Sequence, residues 1–202
     1  MKKKMTAILM AGAMLAACTQ TVFAQDAVYA KTPTQPVFCQ IPQNTNAYPV
    51  RLEPSYISAS SVHYTEGVDS YEAQRVNDWD VTTGWVEGVD GSGIGEHLDF
   101  SFPAGTVITS VHVVPGFCKR EDLFYRNNAP ALLELSSNGM TVKLDTRCGS
   151  DNYYSAVGGW DYTLSPYLVC DGNLRVTIKG VRMGSEWDDT VISELSFMGY
   201  TL

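Results

Sequence analysis

The chain has 202 residues, 45% of them hydrophobic and 18% charged, the makeup of a globular protein with one domain's worth of core and a leader. Acids outnumber bases 22 to 14, for a formal net charge of −8. So acidic a surface repels phosphate backbones and excludes nucleic acid as a partner class.

The N-terminus reads as an export signal. Met1 to Lys4 form a basic n-region and Met5 to Ala17 a short apolar run, too short for a permanent membrane helix. Leu15-Ala16-Ala17-Cys18 resembles a bacterial lipobox, in which Cys18 is acylated and becomes the new N-terminus. Val22-Phe23-Ala24 ahead of Gln25 is the competing site, for an ordinary signal peptidase. The lipobox reading is preferred. Either cut removes three lysines and no acid, which takes the net charge from −8 to −11. A lipid on Cys18 is then the one expected membrane attachment, stable if several acyl chains are added. The expected location is the bacterial cell envelope, lipid-anchored if Cys18 is acylated and otherwise periplasmic or secreted. Cys39, Cys118, Cys148 and Cys170 remain, an even number in an oxidising compartment, so two disulfides are expected. Three connectivities are open, with Cys118–Cys148 and Cys39–Cys170 preferred. No CxxC or paired-histidine spacing supports zinc instead.

Residues 18–54 are rich in Thr, Gln, Pro and Asn and read as a tether, stapled to the domain through Cys39. The domain is expected over 55–202. A first strand begins at Tyr56, and a helical turn is expected between Gly67 and Val76. Beyond residue 97 the hydrophobic period is two. Leu98, Phe100 and Phe102 share a face, as do Val111 and Val113, then Ala131, Leu133 and Leu135. Ser137-Asn138-Gly139 is a hairpin signal before Val142 and Leu144. Leu174, Val176 and Ile178 alternate with polar residues, and a last strand from Val191 to Tyr200 turns Leu195 and Phe197 inward. Short alternating strands separated by Gly, Pro and Asn turns predict an all-β fold, an antiparallel β-sandwich of jelly-roll type.

Between the first strands lies Arg75 to Glu96, where close-set acids, hydroxyls and glycines suit a rigid loop. Asp78 and Asp80 with Thr82 and Thr83 could gather oxygens around a hard cation such as calcium. The EF-hand pattern is not met, because Thr83 stands where its glycine belongs. The competing reading is a loop whose short polar side chains bond their own backbone.

No catalytic motif emerges. His97 and His112 fall at outward or edge strand positions and His63 follows the first strand, none with a motif-placed acid or nucleophile. Gly91-Ser92-Gly93 is out of frame for a nucleophile elbow, and Gly91, Gly93 and Gly95 precede a strand rather than the helix a phosphate loop needs. The chain is therefore expected not to be an enzyme; a hydrolase would have to draw on acids such as Glu87, Glu96 or Asp188.

Several stretches together resemble a discoidin or coagulation-factor C-type domain, the galactose-binding-like sandwich, and more narrowly the bacterial NADase-type glycan-binding domain. They are Ala59-Ser60-Ser61, Asp78-Trp79-Asp80, Thr83-x-Trp85-Val86-Glu87-Gly88 and Gly91-x-Gly93-Ile94-Gly95-Glu96. Pro115-Gly116-Phe117-x-Lys119, Tyr125-x-Asn127 and Trp187-x-Asp189-Thr190-x-Ile192-Ser193-Glu194-Leu195 complete the match, over about residues 55–200. The resemblance implies a structural calcium held by Asp78, Asp80, Thr83 and Glu194. It also implies a glycan site on loops at one end of the sandwich, where aromatics stack on sugar faces. Glu87, Lys119, Arg120, Tyr125, Trp160 and Trp187 are the candidates, whereas Trp85 reads as core or a loop plug. Cys118 and the acidic pair Glu121 and Asp122 depart from the pattern. The expected role is a non-catalytic binding module for glycan or another polar ligand, the alternative being an interaction protein that docks an envelope protein.

Overall fold

The computed structural model describes residues 48–65 and 71–201; the export signal, Cys18, Cys39 and most of the expected tether lie outside the described residues. In chain order the first strands are β1 (Val50–Leu52), β2 (Tyr56–Ala59), β3 (Trp85–Val86), β4 (His97–Ser101) and β5 (Val107–Pro115). They are followed by β6 (Ala129–Ser137), β7 (Met140–Asp145), β8 (Trp160–Val169), β9 (Asn173–Arg182) and β10 (Val191–Tyr200). Three short helices, α1 (Glu121–Arg126), α2 (Arg147–Ser150) and α3 (Tyr153–Ala156), and a 3₁₀ turn at Ala73–Asn77 fill the connections. One sheet runs β1-β10-β5-β8 with β3 also on β10, the other β2-β4-β9-β6-β7, and the pairings of named strands are antiparallel.

The period-two residues meet between the sheets as expected. Leu98, Phe100, Leu133, Leu135, Leu174, Val176 and Ile178 of the second sheet pack against Val111, Val113, Leu195 and Phe197 of the first. Phe197 joins the layers directly, edge-on to Phe100 at 4.8 Å and to Phe102 at 5.6 Å between ring centroids. Asn138 and Gly139 close the β6–β7 hairpin with φ of 48° and 71°, the left-handed pair whose twist suits a two-residue turn.

Three expectations need correction. Val50–Leu52, assigned to the tether, is a strand paired with Leu52↔Phe197 in register, so the sandwich begins before residue 55. Trp160, read as a loop residue, opens β8. The cysteines are not bridged as expected: Cys118, Cys148 and Cys170 are free thiols. Cys118 is packed with Val114, Phe124 and Ala156 in a satellite cluster under α1, while Cys148 faces solvent from α2. Cys170 lies in the main core, where Ser137 Oγ donates to its sulfur at 3.5 Å. An even count could not reveal that two of these cysteines serve as small apolar core residues.

Burial also pushes the Cys118 thiol up to about 12, against the Ser193 hydrogen bond, and raises that of Cys170. A thiolate reagent at pH 7.5 is therefore expected to modify Cys148 rapidly in the native protein and Cys118 and Cys170 only after denaturation, as read by peptide mass mapping.

Candidate functional site

Three supports converge where β2 and β5 end and β10 begins. The first is a serine clamp. Glu96 accepts from Ser60 Oγ at 2.6 Å and Ser61 Oγ at 2.5 Å, and Ser61 Oγ accepts from the Gly88 N–H at 2.9 Å. The buried Trp85 ring donates through Nε1 to Ser61 O at 2.8 Å. Gly88 permits the approach, since a Cβ there would lie 2.4 Å from Val62 O. Residues 61–65 thus cross the end of β3, and the His63 N–H donates to Val86 O at 2.8 Å.

The second support is Glu87. Its side chain is fully buried and accepts from the backbone N–H groups of Val89 and Thr190, both at 3.0 Å. Burial raises the pKa of Glu87, and those two N–H groups partly offset the rise. The third support joins the segment after α1 to the loop before β10. Asn128 Nδ2 donates to Asp188 O and Asn128 Oδ1 accepts from the Gly184 N–H, both at 2.6 Å. The Trp187 N–H donates to Arg126 O at 2.9 Å. Arg126 grips Glu186 at 2.6 and 2.7 Å while its guanidinium stands 4.1 Å from the centroid of the Trp187 ring. On the β5 side, Ser193 Oγ donates to Gly116 O at 2.9 Å and accepts from the Cys118 N–H at 3.0 Å, fixing the turn that delivers Phe117 and Lys119.

Between these supports lies an open groove of about 430 Å³. Val86, Phe117, Tyr71 and Leu123 give it an apolar lining, and His63, Lys119, Arg120, Asn127, Trp187 and Asp189 give it polar and aromatic groups. Tyr71 stands edge-on to Phe117 at 6.1 Å and to His63 at 6.0 Å. His63 is held on both sides, Nδ1 3.1 Å from Asp189 Oδ1 and Nε2 2.9 Å from Thr65 Oγ1. Arg120 forks onto Asp122 at 2.9 and 3.0 Å, whereas Lys119 has no carboxylate within 4.0 Å among the described residues.

Of the ligand residues read from the sequence, Lys119, Arg120 and Trp187 meet in this groove. Glu87 does not face it, because both loop N–H groups need its carboxylate from below. Tyr125 lies apart, packed edge-on to Phe124 at 5.2 Å, with its hydroxyl accepting from the Tyr153 N–H at 3.3 Å. Trp160 is also elsewhere, its Nε1 donating to Ser155 O at 3.0 Å. His63, Thr65, Tyr71, Val86, Phe117, Leu123, Asn127 and Asp189 complete the lining and were not among those candidates. His63 and Asp189 are 126 positions apart, and no local pattern marks them as a pair.

A family model described as the NAD glycohydrolase translocation F5/8 type C domain matches residues 48–198. The chain belongs to that family. Among solved structures, the F5/8 type C domain of a Bacteroides fragilis protein is similar at a TM-score of 0.52 and 16% identity, covering 76% of this chain and 98% of that one. The CBM32-1 and CBM32-2 domains of Clostridium perfringens ZmpB in complex with GalNAc follow at 0.51 and 12%, covering 74% of this chain and 35% of that longer one. No curated protein matches the chain. These likenesses establish the F5/8 type C sandwich.

The calcium that the family resemblance implies can be tested against the oxygens present. Thr83 Oγ lies 2.8 and 3.1 Å from the Asp78 carboxylate oxygens, 3.0 Å from Asp80 O and 3.4 Å from Arg75 O. One hydroxyl has one proton for these four acceptors, and such a surplus of oxygens fits a hard cation. Among the described residues both Glu194 carboxylate oxygens are buried with no partner at hydrogen-bond geometry, and Arg51 stands 3.9 Å from Oε1. Burial pushes Glu194 up to about 7 although Arg51 and the Trp79 N–H favour its charged form, and the nearby Asp78 adds to the rise. The Asp80 carboxylate is different. It accepts from Thr82 N at 2.9 Å and Thr82 Oγ1 at 2.6 Å, so Asp80 offers the cluster its carbonyl and not its side chain. Among the described residues no three His, Cys, Asp or Glu side chains gather as a metal site; the fit rests on mixed hydroxyl, carbonyl and carboxylate oxygens.

Glu87→Ala would strand two loop N–H groups. We expect it to lower stability by about 1.5–3 kcal/mol in urea unfolding, with Glu87→Gln keeping part of the difference.

Proposed function

We propose that this protein is a non-catalytic glycan-binding module of the bacterial envelope, lipid-anchored through Cys18, whose ligand lies in the groove between His63, Lys119 and Trp187. The observation that carries this reading is the groove itself. An apolar lining of ring and aliphatic groups stands beside amide, imidazole and cationic groups at the loop end of the sandwich. A pyranose has the matching chemistry, an apolar C–H face and a rim of hydroxyls. The F5/8 type C fold supports it, and the Clostridium perfringens CBM32 domains were solved in complex with GalNAc. On a glycan array, Trp187→Ala is expected to weaken binding on the order of tenfold or more. Trp160→Ala, outside the groove, serves as the control; equal indifference to both changes removes the groove from the account.

One observation favours a second reading. Asp189, His63 and Thr65 are spaced as acid, imidazole and hydroxyl are in a relay that activates a nucleophile. In an acyl hydrolase Thr65 Oγ1 would attack the ester carbon while His63 takes its proton and then gives it to the departing alcohol as the C–O bond breaks, and water would release the acyl group from Thr65. Binding is preferred because Thr65 is exposed and the groove open, whereas such relays work in sites that exclude water. Ester cleavage lost in both Thr65→Val and His63→Ala would reverse that preference.

For calcium, Asp78, Thr83 and Glu194 would hold the ion through side chains, and Asp80 and Arg75 through carbonyls. When bound, it would supply positive charge that lets Glu194 ionise in its buried place. Without calcium, Glu194 in the folded state keeps a proton that the unfolded chain releases near its ordinary value of 4.5. Stability in chelator is then expected to fall as the pH rises from about 4.5 to about 7. Added calcium should raise the melting temperature most at and above the upper end of that window, and Glu194→Gln should abolish both effects. A melt indifferent to chelator at pH 7.5 would exclude the ion.

A further inference from the structure

The charge balance of the groove points to the class of sugar it takes, an inference that rests on the binding reading above. The protein is acidic, and the cations among its described residues are nearly all committed. Among the described residues, Arg51, Arg75, Arg120, Arg126, Arg147, Arg175 and Lys179 each have a carboxylate within 4.0 Å. Arg182 has none but is spent on main-chain oxygens, donating to Phe124 O at 2.7 Å and Asn127 O at 3.2 Å. Lys143 stands on β7, at the edge of the second sheet. Lys119 is the remaining one, and it alone of the uncommitted cations lines the groove.

The acid of the groove is committed too. Asp189 is held by His63 at 3.1 Å, and Asp80, whose carboxyl Lys119 helps slightly to hold below its ordinary value, has Thr82 as its main partner. An ammonium carries three donors and a compact charge, and here it shares the groove lining with Tyr71, Phe117 and Trp187, with no carboxylate within 4.0 Å among the described residues. Arg120 could have offered a planar fork to a carboxylate, but Asp122 occupies that fork.

We propose that the groove selects a sugar bearing an anionic substituent, carboxylate or sulfate, and that Lys119 is the residue that confers the preference. The substituent supplies the negative partner that Lys119 does not find among the described residues, while the apolar face of the same ring lies against the aromatic wall that includes Trp187. A point charge does not distinguish the two anions by shape, so the source is decided by experiment.

Calorimetric titration with a uronic-acid oligosaccharide, a sulfated one and a neutral one of equal length tests this, using the wild-type protein, Lys119→Met and Trp187→Ala. Thermal melts verify that each variant folds. The wild-type protein is expected to prefer at least one anionic ligand over the neutral one by roughly tenfold, the scale of one charge-assisted hydrogen bond. Lys119→Met should bring that ratio close to one, Lys119→Glu should invert it, and added salt should reduce it. The anionic ligand that binds, uronate or sulfate, identifies the source. Equal affinity for all three sugars, lost in Trp187→Ala but untouched in Lys119→Met, overturns the charge preference and leaves the groove as a neutral-sugar site. Failure of all three to bind overturns both.

Discussion

Strand β10 is the constraint on which the rest of the structure depends. It pairs with β5 along one edge and with β1 and β3 along the other, and it sends Leu195 and Phe197 into the core. Its side chains and the two residues before it also set the loops. Ser193 pins the turn after β5, the Thr190 N–H takes up the Glu87 carboxylate, and Asp189 holds His63. Glu194, on the opposite face from Leu195, places a buried carboxylate beside the Asp78 loop. Core, groove and candidate cation site are thus three readings of one strand.

This explains why motif residues that look functional prove to be structural. Glu87 and Glu96, in the most recognisable pieces of the sequence, are acids whose hydrogen bonds are all internal: Glu96 to two serines, Glu87 to two N–H groups. They hold the loops in place. The groups that line the groove are carried on the segments they support, 117–123 and 186–189. A loop rim built on a rigid scaffold can change its ligand without disturbing the fold.

The proposed function takes the arrangement as one for binding rather than transformation. The groove is open, and its most catalytic-looking feature, the Asp189–His63–Thr65 line, ends in an exposed hydroxyl. The imidazole is held from both ring nitrogens, which stiffens the wall of the groove. On the proposed binding reading, stiffness of that kind would lower the entropic cost of ordering the wall around a ligand.

The strand pattern was legible in the sequence because inward and outward residues alternate locally, and a period of two survives without knowledge of the partner strand. The Asn138-Gly139 turn was legible for the same reason, its backbone geometry being a property of two adjacent residues. Family membership, too, could be read from short pieces such as Trp85 to Gly88. Only the tertiary structure decided which residues share the groove, because His63, Phe117, Trp187 and Asp189 come from four segments joined by strand pairing. It also decided that Glu87 is a brace, that Trp160 lies elsewhere, and that Cys118 and Cys170 are core residues. Burial and partnership are sums over distant neighbours, and a side chain's chemistry in isolation does not contain them.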